Sequence, residues 1–187
     1  MLKRKHNLII VSVIFVLLLG VLFLLISLPS SSDENKSKNE SVQTFDNIIN
    51  TSDKKISNIA VQNLSGTYEI KIKTDGDKEV YTIPGQPEDK ISQNLVKVLV
   101  EDIINLKPIQ IVSEDDKDLS VYGLDKSKAN IVITFDNGEE VKLIIGNDAP
   151  LSKGSYMMKE NESKVYLISS TDKEMFFNDE SFYIEKE

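Results

Sequence analysis

Residues 8–28 read LIIVSVIFVLLLGVLFLLISL, an uncharged apolar run that directly follows Lys3, Arg4 and Lys5, with only His6 and Asn7 between. As a helix rising about 1.5 Å per residue it is roughly 31 Å long, the thickness of a bilayer's hydrocarbon core. A helix apolar on every face needs either lipid or a large domain around it, and only seven residues precede this one. A cleaved signal peptide has a shorter apolar core and a small-residue cleavage site. Here the run ends in Ser27-Leu28-Pro29-Ser30 with no A-x-A pattern, and the absence of cysteine removes a lipidated N-terminus. The sequence therefore predicts a retained transmembrane helix over 8–28. Basic residues 1–7 would be cytoplasmic and everything beyond Ser30 extracytoplasmic, by the positive-inside rule.

About 160 residues remain, enough for one domain and a tether. Formal net charge is −8, and Arg4 is the sole arginine. An acidic surface without guanidinium forks repels nucleic acid and anionic headgroups, so nucleic-acid binding is excluded. With no cysteine, an exported domain must be stabilised by core burial alone. Abundant Lys, Asn and Ile beside almost no Arg point to AT-rich bacterial coding sequence.

Residues 29–55 open with a stretch of Ser, Asp, Glu, Asn and Lys that cannot bury enough apolar area to offset its ordering entropy, and the segment reads as a disordered tether. Val42, Phe45, Ile48 and Ile49 near its end have the spacing of a short docking turn. The folded domain is expected over 56–187. Tyr68, Ile70 and Ile72 alternate with polar residues, Asp75-Gly76 supplies turn chemistry, and residues 80–83 return as a partner strand. Ile91, Leu95, Val98, Leu99, Ile103 and Leu106 lie on one face of a helix predicted over 88–106, stopped by Pro108. Ile109, Ile111 and Val112 suggest a short strand. A second hairpin runs through Ile131, Ile133 and Phe135, turns at Asp136-Asn137-Gly138, and returns through Val141, Leu143 and Ile145. A third pairs 155–159 with 165–168. The first two hairpins read alike, which suggests a duplicated unit. The fold class is α+β: a transmembrane helix, then antiparallel β-hairpins packed on one main amphipathic helix.

No residue emerges as catalytic, cofactor-binding or metal-ligating. Glu114, Asp115, Asp116 and Asp118 offer carboxylates for a hard cation, but without the EF-hand glycine and trailing glutamate they read as a solvated loop. Asp136-Asn137-Gly138-Glu139-Glu140 is accounted for by its turn. His6 is the only histidine and sits on the cytoplasmic side, which excludes an exterior Ser-His-Asp triad or histidine zinc site. No nucleotide-binding or nucleophile-elbow motif occurs. Tyr122 and Tyr156, each beside a turn, read as core tyrosines tying down a loop, with ligand contact as the alternative. No cofactor is expected.

The run Leu119-Ser120-Val121-Tyr122-Gly123-Leu124-Asp125, the strand end Leu143-Ile144-Ile145-Gly146, then Ala149-Pro150, Ser155-Tyr156 and Val165-Tyr166-Leu167-Ile168 resemble the DUF4340 family over residues 56–168. Its members carry L-x-x-Y-G-L-D, a strand pair ending l-x-I-G and a proline-containing loop. The chain departs from them at Asn147-Asp148 and in lacking a first-hairpin tryptophan. The resemblance implies a membrane-anchored protein without an established activity, accessory to an envelope assembly or an ABC transporter subunit, and it transfers no site residues. The resulting expectation is a non-enzymatic binding protein that meets the bilayer through 8–28. Its membrane or envelope partner would dock by β-augmentation on exposed sheet edges or on the 155–159 hairpin. A small-ligand or cation sensor and an envelope hydrolase are the alternatives.

Overall fold

A computed structural model describes residues 44–76 and 78–185. The predicted transmembrane helix over 8–28 lies outside the described residues. Among those described, no helix is long and apolar enough to cross a membrane.

Eight strands form one antiparallel sheet: β1 (Ile56–Asn63), β2 (Gly66–Asp75), β3 (Lys78–Thr82), β4 (Gln110–Ser113), β5 (Ala129–Phe135), β6 (Glu140–Asp148), β7 (Ser155–Lys159) and β8 (Val165–Ile168). Their spatial order is β3-β2-β1-β5-β6-β7-β8-β4. Two meanders, β1-β2-β3 and β5-β6-β7-β8, thus meet back to back at the antiparallel β1–β5 pair, where Ile59 faces Ile133 and Val61 faces Ile131. The two hairpins that read alike, β2–β3 and β5–β6, lie on opposite sides of β1 in this order, and β4 crosses to the far edge to pair with β8.

The three predicted hairpins are present. Asp75 pairs with Lys78 across the first turn, Thr134 with Glu140 near the second, and Tyr156 with Leu167 in the third. A further hairpin, β1–β2, escaped the period-two pattern because of a register shift between Ile56 and Asn58. That shift returns Ile56 and Ile59, three positions apart, to the same buried face.

Helix α1 spans Gln93–Ile104, five residues shorter at its start than the predicted 88–106. Glu88–Lys90 is a single 3-10 turn, after which Ile91 and Ser92 are extended. The cause is a tertiary strap. The C-terminal tail bridges Ile184 to Ile91, Ser92 N–H donates to Tyr183 O at 2.9 Å, and Glu185 N–H donates to Lys90 O at 2.8 Å. Pairing with residues ninety positions away thus overrides local periodicity. The buried face of α1 is Val96, Leu99, Val100 and Ile103, whereas Leu95 and Val98 remain 36% and 45% exposed.

The main core gathers this helix face with Ile59, Ile70, Ile131, Ile133, Leu143 and Ile145 from one side of the sheet, and Phe176 and Tyr183 from the tail. Phe176 follows the short helix α2 (Ser170–Met175), which Ser169 caps by accepting from Asp172 N–H. Ile48 and Ile49, which the sequence places inside the tether, are 6% and 1% exposed members of this core. Ile48 N–H donates to Leu106 O at 2.8 Å and Asn47 Nδ2 to Ile104 O at 2.7 Å, so the packed region begins before residue 56. Two apolar side chains at the end of a polar stretch gain enough burial to hold its last residues down.

Candidate functional site

The residues that carry the family resemblance divide between the two faces of the sheet, with Leu143, Ile145, Tyr166 and Ile168 in the main core and a second group on the reverse face. Leu119, Tyr122 and Leu124 join Val112, Ile144, Tyr156, Met158 and Val165 in a second apolar cluster. Leu119–Tyr122 forms a 3-10 turn ended by Gly123, whose φ of 67° lies in the left-handed region. This turn rests directly on β6, where the β6–β7 ladder is irregular between Ile145 and Asp148. A β-carbon added at Gly146 would lie 2.3 Å from Tyr122 O, and one at Gly123 would lie 2.5 Å from the Asn147 side chain. The Y-G of the first motif and the I-G of the second are therefore two halves of one backbone-to-backbone contact. Their role is to seal the cluster.

Tyr122 and Tyr156 stack edge to face with centroids 4.9 Å apart, and the Tyr122 hydroxyl donates to Asp116 Oδ2 at 2.7 Å. The predicted loop-tying role is thus carried out through a side-chain carboxylate. That bond holds the Asp116 carboxyl below its ordinary range and raises the Tyr122 phenol. Two other acids of the loop are also engaged. Glu114 pairs with Lys164 at 2.7 Å, and Asp118 accepts from Ser120 Oγ at 2.5 Å. Among the described residues no group of three or more His, Cys, Asp or Glu side chains is arranged to hold a metal ion.

Asp148, at the end of β6, joins four elements. It accepts from Lys173 Nζ of α2 at 2.8 Å and from Ser155 Oγ of β7 at 2.6 Å, and Lys128, just before β5, lies 3.7 Å away. The Lys173 and Ser155 bonds lower its pKa to about 2. Sequence reasoning did not single out this carboxylate, and Ser155, wholly buried, is its nearest partner.

Two open grooves flank the first turns of α1. One, of about 550 Å³, is lined by Ser92 and Leu95 of the helix segment with Phe177, Phe182 and Ile184 of the tail. Phe182 is 48% exposed there, while its neighbour Tyr183 points inward. The Tyr183 ring meets Tyr68 at 5.7 Å; both hydroxyls are buried, and burial raises both phenols. The second groove, of about 670 Å³, lies between α1 and the β2–β3 hairpin and is lined by Lys55, Lys78, Glu79, Gln93, Asn94 and Lys97, among others. Gln93 governs it. Its Oε1 accepts from Tyr81 N–H and its Nε2 donates to Tyr81 O, each at 2.9 Å, so one side-chain amide takes the place of a neighbouring strand on the edge of β3. The Tyr81 hydroxyl in turn donates to Glu79 Oε2 at 2.7 Å.

Neither groove was legible in the sequence, since their walls come from different elements, in the first groove as far apart as Ser65 and Glu185. The expected docking hairpin at 155–159 is corrected by the sheet. β7 is an interior strand paired with β6 on one side and β8 on the other, leaving no free edge for augmentation.

The family model described as a domain of unknown function (DUF4340) matches residues 86–187. It begins after the first meander and extends through the tail that straps α1, whereas the resemblance read from the motifs spans 56–168. No curated protein and no solved structure matches the chain.

Proposed function

Taking as premise that the chain belongs to the DUF4340 family, we propose that it is a membrane-anchored, non-enzymatic binding protein of the bacterial envelope. Residues 8–28 hold it in the bilayer with the N-terminus cytoplasmic, and the sheet domain meets its partner outside. The partner is another membrane or envelope protein, of which a transporter subunit is the case implied by the family resemblance.

The observation that carries this reading is the pair of grooves on either side of the first turns of α1. One supplies an apolar anchor, Phe182 beside Leu95, and the other a charged flank. That division, aromatic contact with polar surround, is the usual anatomy of a protein-docking surface. Tethering raises the effective concentration of the face near membrane partners, so a modest contact suffices. The motif residues support the same reading, because Gly123, Gly146 and Tyr122 are occupied in mutual packing.

The test is a photocrosslinking amino acid placed at Leu95 or Phe182 in the full-length chain in cells, with Gln110 on the opposite sheet edge as control. The expected outcome is a discrete heavier adduct from the first two positions and none from Gln110. Absence of an adduct at both groove positions would overturn the proposal.

A further inference from the structure

The lysine-lined groove has a floor as well as walls. In an antiparallel edge strand, alternate residues direct their peptide N–H and C=O away from the sheet. Tyr81 is one such residue, because both of its peptide groups are met by Gln93. Glu79, two positions earlier on β3, therefore turns its N–H and C=O the same way, and no described residue hydrogen-bonds to them. The Asp75–Lys78 register fixes this phase independently: a closing pair of a tight hairpin bonds inward, so the next residue, Glu79, bonds outward.

Around this free peptide unit stand Lys55 ahead of β1, Lys78 at the start of β3 and Lys97 on α1. Three cations share one groove in a chain of net charge −8. Lys97 is paired with Glu101 at 3.7 Å, an exposed contact along its own helix, and no ion pair among the described residues involves Lys55 or Lys78. The Glu79 carboxylate accepts a hydrogen bond from the Tyr81 hydroxyl and keeps its charge, so the groove lining carries three ammonium groups against one carboxylate. The groove thus combines an excess of positive charge, with Lys55 and Lys78 outside any ion pair among the described residues, and one open strand edge.

We infer that this groove receives an extended acidic peptide segment of a protein partner. One peptide unit of the segment pairs with Glu79, in line with the Gln93 amide. Its carboxylates, projecting to alternate sides, reach lysines that come from three different elements. A dense phosphate polymer fits less well: there is no arginine fork, and the three ammonium groups are dispersed over three elements. The inference rests on the binding role proposed above and names the chemistry of the partner.

Fluorescence anisotropy on the full chain in neutral detergent micelles tests it, with a fluorescein-labelled decapeptide of alternating glutamate and threonine as probe. Saturable binding is expected, and the triple variant Lys55→Gln, Lys78→Gln, Lys97→Gln should weaken it about tenfold, three exposed ion pairs each contributing a fraction of that factor. An equal-charge control, Lys107→Gln, Lys126→Gln, Lys153→Gln, should change it less than about twofold. Circular dichroism melting of both variants verifies folding. No binding, equal loss in the control, equal binding of a glutamine-for-glutamate probe, or binding of labelled polyphosphate where the peptide shows none would each overturn the inference. In cells, an adduct at Leu95 that persists in the triple variant would sink the acidic-segment assignment while leaving the binding role standing; loss of adducts already in the native chain would remove the binding role itself.

Discussion

Gly146 and Gly123 illustrate how a sequence motif can be conformational rather than chemical. Gly146 has no positive φ; its requirement is proximity, with Tyr122 O where a β-carbon would sit. Gly146→Ala should therefore destabilise by about 1–3 kcal/mol, the ordinary cost of overpacking, measured as a shift of the urea midpoint. Gly123→Ala meets a movable obstacle, the Asn147 side chain, as well as backbone strain. Adding Asn147→Ala should recover part of that loss but leave the roughly 1 kcal/mol that the left-handed conformation costs any residue with a β-carbon. A double variant no better than the single one would mean that strain alone accounts for the effect. The motif letters were legible in the sequence; their mutual contact was not, because nothing in the spacing of residues 123 and 146 says that the two backbones touch. Asp148 makes the same point for charge. Its folded pKa of about 2 lies below the ordinary 3.8. Its stabilising contribution is therefore complete above pH 4 and is lost as the pH falls from about 4 towards 2. Its side chain is half exposed, so the contribution is small. Thermal melts should show a shallower acid loss across that window for Asp148→Asn than for the native chain.

At the level of elements, hairpins were the most legible part of the fold, since alternation and an Asp-Gly or Asn-Gly turn are both local signals. The start of α1 was not, because it depends on Ile184 reaching Ile91. Nor was the solvent face of α1, where Leu95 and Val98 stay exposed although they fit the helical stripe. Gln93 is the residue at which element-level function concentrates. An edge strand left open is a template for unwanted pairing, and this amide closes β3 at Tyr81. Gln93→Ala should lower stability by about 1 kcal/mol and, more diagnostically, increase self-association seen by sedimentation velocity. Gln93→Glu keeps only the acceptor half of the contact and should fall between the two. A strictly monomeric Gln93→Ala protein would show that β3 is protected by other means, such as the lysines and glutamates around it.

Across the molecule, one side of the sheet buries the main core and the other is sealed only where residues 119–124 cover β6–β8. The packed region extends back to Ile48 and Ile49, which fill the core beside the end of α1. Ile49→Ala should cost about 2–5 kcal/mol, the range for large-to-small changes at fully buried aliphatic positions. A chain started at residue 56 should lose at least as much. A denaturant midpoint unchanged by Ile49→Ala would return those residues to the tether. The meeting of β1 with β5 also sets a schedule. Ser57 bonds to Thr134, 77 positions further along the chain, so the earliest strand of the sheet has to wait, with its inner edge bare, until more than two thirds of the polypeptide has been made. Folding should accordingly be slow and all-or-none. A chain threaded outward from its N-terminal end would stay extensible for most of its passage, and its first meander released alone would be sticky rather than soluble.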